Sequence, residues 1–235
     1  LNYRCTLDLA RAAIRQEVPS FIFISTSNTI GFGDLDHPGN EDLPMRAPFT
    51  RNDYAVSKYL AEQGLAQLTG QLNVITIHPG FMIGKGAPCH GSGRMLRWAL
   101  GKKLVLFPPG GKNFISVTDV ARGILLAMKR GKPGEHYLIV NENLTYRQFF
   151  GMVARIGAME SRMLPVPASL MRLMGFLGNG LRMLGVTTPL STNHTQILSV
   201  CNFYDNSKSR RCLGMEYECI ERTISSILES LKEGQ

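Results

Sequence analysis

The chain contains no Cys-x-x-Cys pair, no run of basic residues longer than two, and no uncharged apolar stretch long enough to span a bilayer. Each absence removes a class of function. The five cysteines, Cys5, Cys89, Cys201, Cys212 and Cys219, are odd in number and irregularly spaced. That argues against a disulfide framework and against a cysteine-ligated zinc. The histidines His37, His90, His136 and His194 show no ligand spacing, so no metal site is expected. The formal net charge is +8, but the basic residues are scattered and meet only as pairs such as Lys102-Lys103 and Arg210-Arg211. Without a basic helix interleaved with aromatics, this balance reads as a solvated surface and not as a nucleic-acid site.

The most apolar stretch, Pro167 to Leu184, carries Met171, Met174, Phe176, Leu177, Leu181, Met183 and Leu184. Arg172, Arg182 and its glycines argue against a membrane span. Peripheral contact with a membrane surface is one alternative, and core or pocket wall is the reading preferred here. No signal peptide is evident, so the sequons Asn143-Leu-Thr145 and Asn193-His-Thr195 carry no weight, and a cytoplasmic location is the default.

What is present is an α/β pattern. Apolar content of 44% is ordinary for a globular chain, and 235 residues allow one or two domains. Phe21 to Ile24 and Asn73 to His78 read as buried parallel strands. Ile115 to Val117 and His136 to Val140 read as short ones. Helical spacing marks Thr6 to Gln16, Tyr54 to Leu68 and Thr118 to Lys129, the last stopped by Gly131. Thr145 and Gln148 form a capping box for a helix running to about Ile156. Between Gly84 and Lys112 the pattern turns irregular and rich in Gly and Pro.

Tyr54-Ala-Val-Ser-Lys58 carries the chemistry. Residues i and i+4 share a helix face, and a cation beside a phenol favours phenolate and lowers a pKa otherwise near 10. Such a phenol can trade a proton with a substrate oxygen. The first strand ends abruptly in Ser25-Thr26-Ser27 and the second in Pro79-Gly80. Carboxyl ends of strands are where open α/β sheets bind ligands. Asp119 at a helix start is read as a helix-cap or structural acid.

Together these motifs resemble the extended short-chain dehydrogenase/reductase superfamily, the NAD-dependent epimerase/dehydratase group. Asn2 to Thr6 resembles its Asn-x-x-Gly-Thr helix start, with Cys5 in place of glycine. Ile24-Ser-Thr26 resembles the strand end bearing the catalytic hydroxyl, and Tyr54 to Lys58 the Tyr-x-x-x-Lys motif. Asn113-Phe-Ile-Ser-Val-Thr-Asp119 resembles the late strand-to-helix segment, and Tyr204-Asp-Asn-Ser-Lys208 through Gly214 the C-terminal one. The resemblance implies a Rossmann-like, doubly wound parallel sheet built from residues 1–83 and 113–143. It implies a smaller mixed α/β substrate domain from 84–112 and 144–235.

The resemblance also implies roles. Tyr54 would be the proton donor, Lys58 its cationic partner and a ribose ligand, and Thr26 the second hydroxyl on the substrate oxygen, by counting back from Gly31. His78 falls where the resemblance implies an ordinary variable residue. NAD or NADP would be held by Tyr54, Lys58, Ser25, Pro79, Gly80, Phe81 and Met82. The partner would be a small carbonyl compound, with a homodimer compatible with the group. Members open with a strand, a Gly-x-x-Gly-x-x-Gly phosphate loop and a helix. None occurs here, which implies on the order of a hundred preceding residues in a longer protein, or a chain made from an internal start.

Gly111-Lys112-Asn113 stands where sugar-nucleotide members carry an Arg-Asp or Arg-Glu pair. Leu164-Pro-Val-Pro167 and Thr188-Pro-Leu-Ser191 look like the dihydroflavonol 4-reductase-like members. A ketone or aldehyde reductase is therefore favoured over a nucleotide-sugar epimerase or dehydratase, in which Arg94, Arg97 and Arg182 are the candidate diphosphate ligands. A non-catalytic dinucleotide-binding scaffold is the third reading, and retention of Tyr54 and Lys58 argues against it.

Overall fold

A computed structural model describes residues 2–85, 92–188 and 190–233, so Cys89, His90 and Pro189 lie outside the described residues. In chain order the elements are α1 (Asn2–Arg15), β1 (Phe21–Ile24), α2 (Asp53–Ala66), β2 (Val74–Pro79), β3 (Phe81–Ile83), α3 (Ser92–Ala99), β4 (Leu104–Phe107) and β5 (Gly111–Ser116). Then come α4 (Val117–Arg130), β6 (His136–Ile139), β7 (Glu142–Thr145), α5 (Tyr146–Ile156) and β8 (Arg162–Pro165). The last are α6 (Ala168–Met183), α7 (Thr192–Ser199), β9 (Cys201–Asn202) and α8 (Ile220–Glu233). The expected capping box is present: the Thr145 hydroxyl accepts the Gln148 amide at 3.2 Å, and the Gln148 side chain accepts the Thr145 amide at 2.8 Å.

The chain divides into two compact units. The first comprises 1–80, 117–141 and Tyr204–Tyr217. Its sheet is fully parallel in the order β1-β2-β6. Side chains alternate across a strand. Phe21 and Phe23 therefore face one way, where with Val74 they pack on Ala10, Ala61 and Leu65 of α1 and α2. Ile75, of opposite parity, faces Gly131 at the end of α4, and Ile139 faces Gly123 within it. Helices thus cover both faces, as a doubly wound sheet requires.

The second unit comprises 81–116, 142–203 and 218–235. β5 is its central strand, parallel to β3 and β9 and antiparallel to β7. Phe114, Tyr146, Phe149, Val153, Ile220 and Ile224 form its core. These boundaries depart from the expected ones at 83, 112 and 143. The largest departure is Tyr204–Tyr217, which belongs to the first unit. A bridge between Gly39 and Tyr204 and a bond from Asn206 to the Val140 carbonyl fix it there.

The Met-rich stretch also departs from expectation. α6 packs on α7 through Met171 and the small residues Gly175 and Gly178, while Leu173, Phe176, Leu177, Leu181 and Met183 are exposed. Any Cβ at Gly175 or Gly178 would meet backbone or side-chain atoms of residues 190–195. The seam is made by glycine and not by the large apolar chains. Among the described residues no helix is long and apolar enough to cross a membrane.

Candidate active site

The carboxyl end of β1 runs directly into a 3-10 turn, Ser27–Thr29, capped by Thr26. Thr26 is extended, with φ −155° and ψ 148°, and its hydroxyl accepts the Asn28 amide at a long 3.4 Å. Thr26 and Ser27 are both buried. Tyr204 donates from its hydroxyl to the Ser27 carbonyl at 2.8 Å, and the Thr29 hydroxyl donates to the Thr26 carbonyl at 2.8 Å.

Helix α2 begins at an Asn52 cap whose side chain accepts the Ala55 amide. It packs against the Ser27–Thr29 turn and β2, so Tyr54, Lys58 and Glu62 follow one another at i, i+4 and i+8 along one ridge. Lys58 Nζ donates to the Ile24 carbonyl at 2.8 Å and lies 5.0 Å above the Phe23 ring. The ammonium thus sits at the end of β1, two residues before Thr26. Of its three protons, one is used on Ile24. Tyr54 is half exposed, and among the described residues its hydroxyl makes no hydrogen bond.

The electrostatics differ from the expectation that Lys58 depresses the Tyr54 phenol. Burial raises the Tyr54 pKa above its ordinary value. Burial also lowers that of Lys58, partly offset by Glu62. The ammonium is directed to the Ile24 carbonyl, and the anion that acts on it is the Glu62 carboxylate one turn further on. Tyr54 is therefore held as a phenol, the form in which it can give a proton away.

Ser25 requires a correction. It shares the parity of Phe21 and Phe23, so its hydroxyl points at α2 and donates to the Glu62 carboxylate. That buried hydroxyl ties helix to strand, and its proton is committed to Glu62. Pro79 ends β2 opposite Ile139, and the Gly80 amide donates to the Ile139 carbonyl at 3.1 Å. Phe81 and Met82 belong to the second unit, paired with Phe114 and Ile115. Asp119 is buried at the start of α4, with Arg122 at 3.4 Å.

Sequence reasoning passed over Glu62, His78 and His136. His78 is wholly buried, with Nδ1 3.0 Å from the Thr29 hydroxyl and 3.2 Å from the Thr26 carbonyl. Its Nε2 is 2.8 Å from His136 Nδ1. Burial pushes the Glu62 carboxyl up to about 7, against the pull of Ser25, Thr29 and Lys58. The only sequence signal was that Glu62 continues the Tyr54–Lys58 ridge by one more turn.

The arrangement suits a dinucleotide's nicotinamide end. Parallel strand ends lie side by side, and a cation stands among them, two of its three protons without an acceptor among the described residues. The family model described as the NAD dependent epimerase/dehydratase family matches residues 1–140. Sterol demethylase protein B of Methylococcus capsulatus is 28% identical over 221 residues, covering 92% of this chain and 67% of that protein. A Synechocystis protein provisionally named dihydroflavonol 4-reductase is 27% identical over 235 residues, covering 95% of this chain and 67% of its own length. The solved UDP-glucose 4-epimerase of Thermotoga maritima, in complex with UDP-glucose, superimposes with a TM-score of 0.74 at 20% identity. That match covers 99% of this chain and 70% of the epimerase, and it shows a shared fold.

Proposed function

Because the chain belongs to the NAD dependent epimerase/dehydratase family, we propose that it is an NAD(P)-dependent oxidoreductase that reduces a ketone or aldehyde. The observation that carries this reading is the bond from Lys58 to the Ile24 carbonyl, which sets a cation at the strand end bearing Thr26. Lys58 and the backbone at Pro79-Gly80 would hold the cofactor, and when bound its reduced nicotinamide supplies hydride. Tyr54 gives its proton to the substrate oxygen as that oxygen gains negative charge. Thr26 donates a hydrogen bond to the same oxygen. The raised Tyr54 pKa keeps the phenol protonated at neutral pH, ready for this step. Acid catalysis of this kind contributes about 10²–10⁴ in rate, so Tyr54→Phe should lower turnover by that factor.

The relatives that match more than nine-tenths of this chain are named for a sterol and a dihydroflavonol, which favours an apolar carbonyl substrate. A nucleotide-sugar epimerase or dehydratase is the second reading. It is favoured by an open groove of about 600 Å³ in the second unit, lined by Arg94, Arg97, Lys102 and Trp98, since guanidinium pairs suit a diphosphate. Arg182 is not part of that lining, and two of its guanidinium nitrogens donate to the Thr188 carbonyl at 2.8 and 3.1 Å. The test is a screen of the intact protein with NADH and NADPH against aromatic, steroidal and aliphatic ketones and aldehydes, and against UDP- and dTDP-sugars. Cofactor oxidation by a carbonyl compound is expected. Conversion of a nucleotide sugar with no carbonyl reduced would overturn the reductase reading in favour of the second.

A further inference from the structure

Glu62, His78 and His136 come from α2, β2 and β6 and meet on the α2 face of the first unit's sheet. The register explains how. Val74, Thr76 and His78 alternate onto that face, and His136 pairs with Thr76, so both imidazoles stand on one side. The two rings are nearly parallel and meet edge to edge, 26° apart with centroids 5.1 Å apart, and Glu62 Oε1 lies 3.7 Å from His78 Nδ1, the ring nitrogen that does not meet His136. One donor atom from each residue can be chosen so that all three lie within 4.8 Å of one another.

From this arrangement we propose that Glu62, His78 and His136 bind one divalent transition-metal ion of the zinc or cobalt kind. Two imidazoles and a carboxylate are donors that such ions accept. Ligation requires each imidazole in its neutral form, with a lone pair on the nitrogen that meets the ion.

The tautomers fit as well. His78 Nδ1 lies 3.2 Å from the Thr26 carbonyl, which can only accept. With the proton on Nδ1, Nε2 turns its lone pair toward His136. That is the outer hydrogen bond by which metal-bound histidines are oriented. In the metal-free protein the His136 Nδ1 proton fills the 2.8 Å gap. The ion takes its place and the proton moves to His136 Nε2, so neither ring loses one. The gap then opens to about 3.3 Å, the span of two metal–nitrogen bonds of about 2.05 Å at a tetrahedral angle.

Access and a fourth ligand have a place too. A cavity of about 130 Å³ is lined by Glu62 and His136, with Leu65, Thr69, Asn73 and Thr76. At roughly 30 Å³ per water it has room for an exchangeable water ligand. The three elements that an ion would tie together are those that position Lys58 and the β1 and β2 ends, yet none of the three ligands belongs to the Tyr54, Lys58 and Thr26 trio.

The test uses the intact protein, stripped with a chelator, and Co²⁺ alone as the probe, with Zn²⁺ in competition. Calorimetry should give one ion per chain with micromolar affinity or tighter, and the cobalt form should show the visible absorption of a four-coordinate site. Glu62→Gln keeps the shape and an acceptor for the Ser25 hydroxyl while removing the anion. His136→Ala removes the ligand that is only half-buried. Each should weaken binding roughly tenfold or more and abolish the visible band. Zn²⁺ should raise the melting temperature of the parent protein and raise that of either variant less, a comparison made within each protein so that a variant's own stability does not enter. No stoichiometric binding to the parent protein, or an affinity unchanged in both variants, overturns the proposal.

Discussion

The Tyr204 hydroxyl donates a hydrogen bond of 2.8 Å to the Ser27 carbonyl, joining residues 177 positions apart. Both lie in the first unit, and the buried phenol secures the turn that follows β1. The same carbonyl accepts the Ile30 amide at 3.0 Å, so deleting the phenol oxygen does not strand it. Tyr204→Phe is expected to cost about 1 kcal/mol and to lower the melting midpoint by about 2–4 °C. Calorimetry of the two proteins measures this, and identical midpoints would show that the bond adds nothing.

Gly39 lies where two backbones approach closely. A methyl there would land on the Gly31 carbonyl and the Phe32 Cα, while the Gly39 carbonyl accepts the Asp205 amide at 2.8 Å. Neither neighbour is the end of a flexible side chain, so the strain has no cheap outlet. Gly39→Ala should destabilise by about 1–3 kcal/mol, read as a lower urea midpoint with an unchanged slope. Gly180→Ala, where the methyl meets open space, is the control and should be neutral or slightly stabilising.

The strands and helices of the first unit were legible because their signals are local. Phe21–Ile24 is observed as expected, and α2, α4 and α5 start within a residue or two of their sequence bounds. The fate of Ser25 was also within reach, since strand alternation from Phe21 and Phe23 sends it toward α2 and away from a strand-end ligand. Two features were not legible. The approach of His78 to His136 depends on the register of β2 against β6, which no local pattern encodes. The return of Tyr204–Tyr217 to the first unit is made by separate bonds to Ser27, Gly39, Val140, Arg122, Arg130 and Glu135, formed between segments with no shared periodicity. The direction of the Tyr54 shift was missed for a related reason. Helical spacing sets Lys58 on the same face but says nothing of the Ile24 carbonyl that draws its ammonium.

Lys112 on β5 gives a stability that depends on pH. Its ammonium lies 5.3 Å above the Phe81 ring, and burial lowers its pKa from 10.5 to about 8. Between those two values the unfolded chain binds a proton that the native one does not, so stability rises with pH across that window. Below about 8 both states are charged and the native state carries the full burial cost. Lys112→Met should therefore stabilise the protein at pH 7 by about 1–2 kcal/mol, allowing for the partial exposure of the side chain and the lost ring contact. The gain should shrink toward pH 10. Urea titrations of both proteins at the two pH values decide it, and an equal gain at both would refute burial of charge as the cause.

Thr26 and Ser27 can be separated by substitution. Thr26 is the last extended residue before the turn, and among the described residues nothing accepts its hydroxyl proton. Its one bond, from the Asn28 amide at 3.4 Å, uses a lone pair and is long. That proton is therefore free for a substrate oxygen. Ser27 sits inside the turn, held through its carbonyl by Tyr204 and Ile30; among the described residues its hydroxyl proton too has no acceptor, so its place in the turn and not its bonding sets it apart. Thr26→Ala should lower kcat by about 10²–10³, the usual loss for one hydrogen-bond donor to a developing oxyanion. Thr26→Ser should restore most of it, and Ser27→Ala should change kcat only a few-fold. Steady-state kinetics on the best carbonyl substrate from the screen, with circular dichroism to verify folding, make the comparison. If Ser27→Ala carries the larger loss, the hydroxyl that meets the substrate is Ser27, and the count back from Gly31 is off by one.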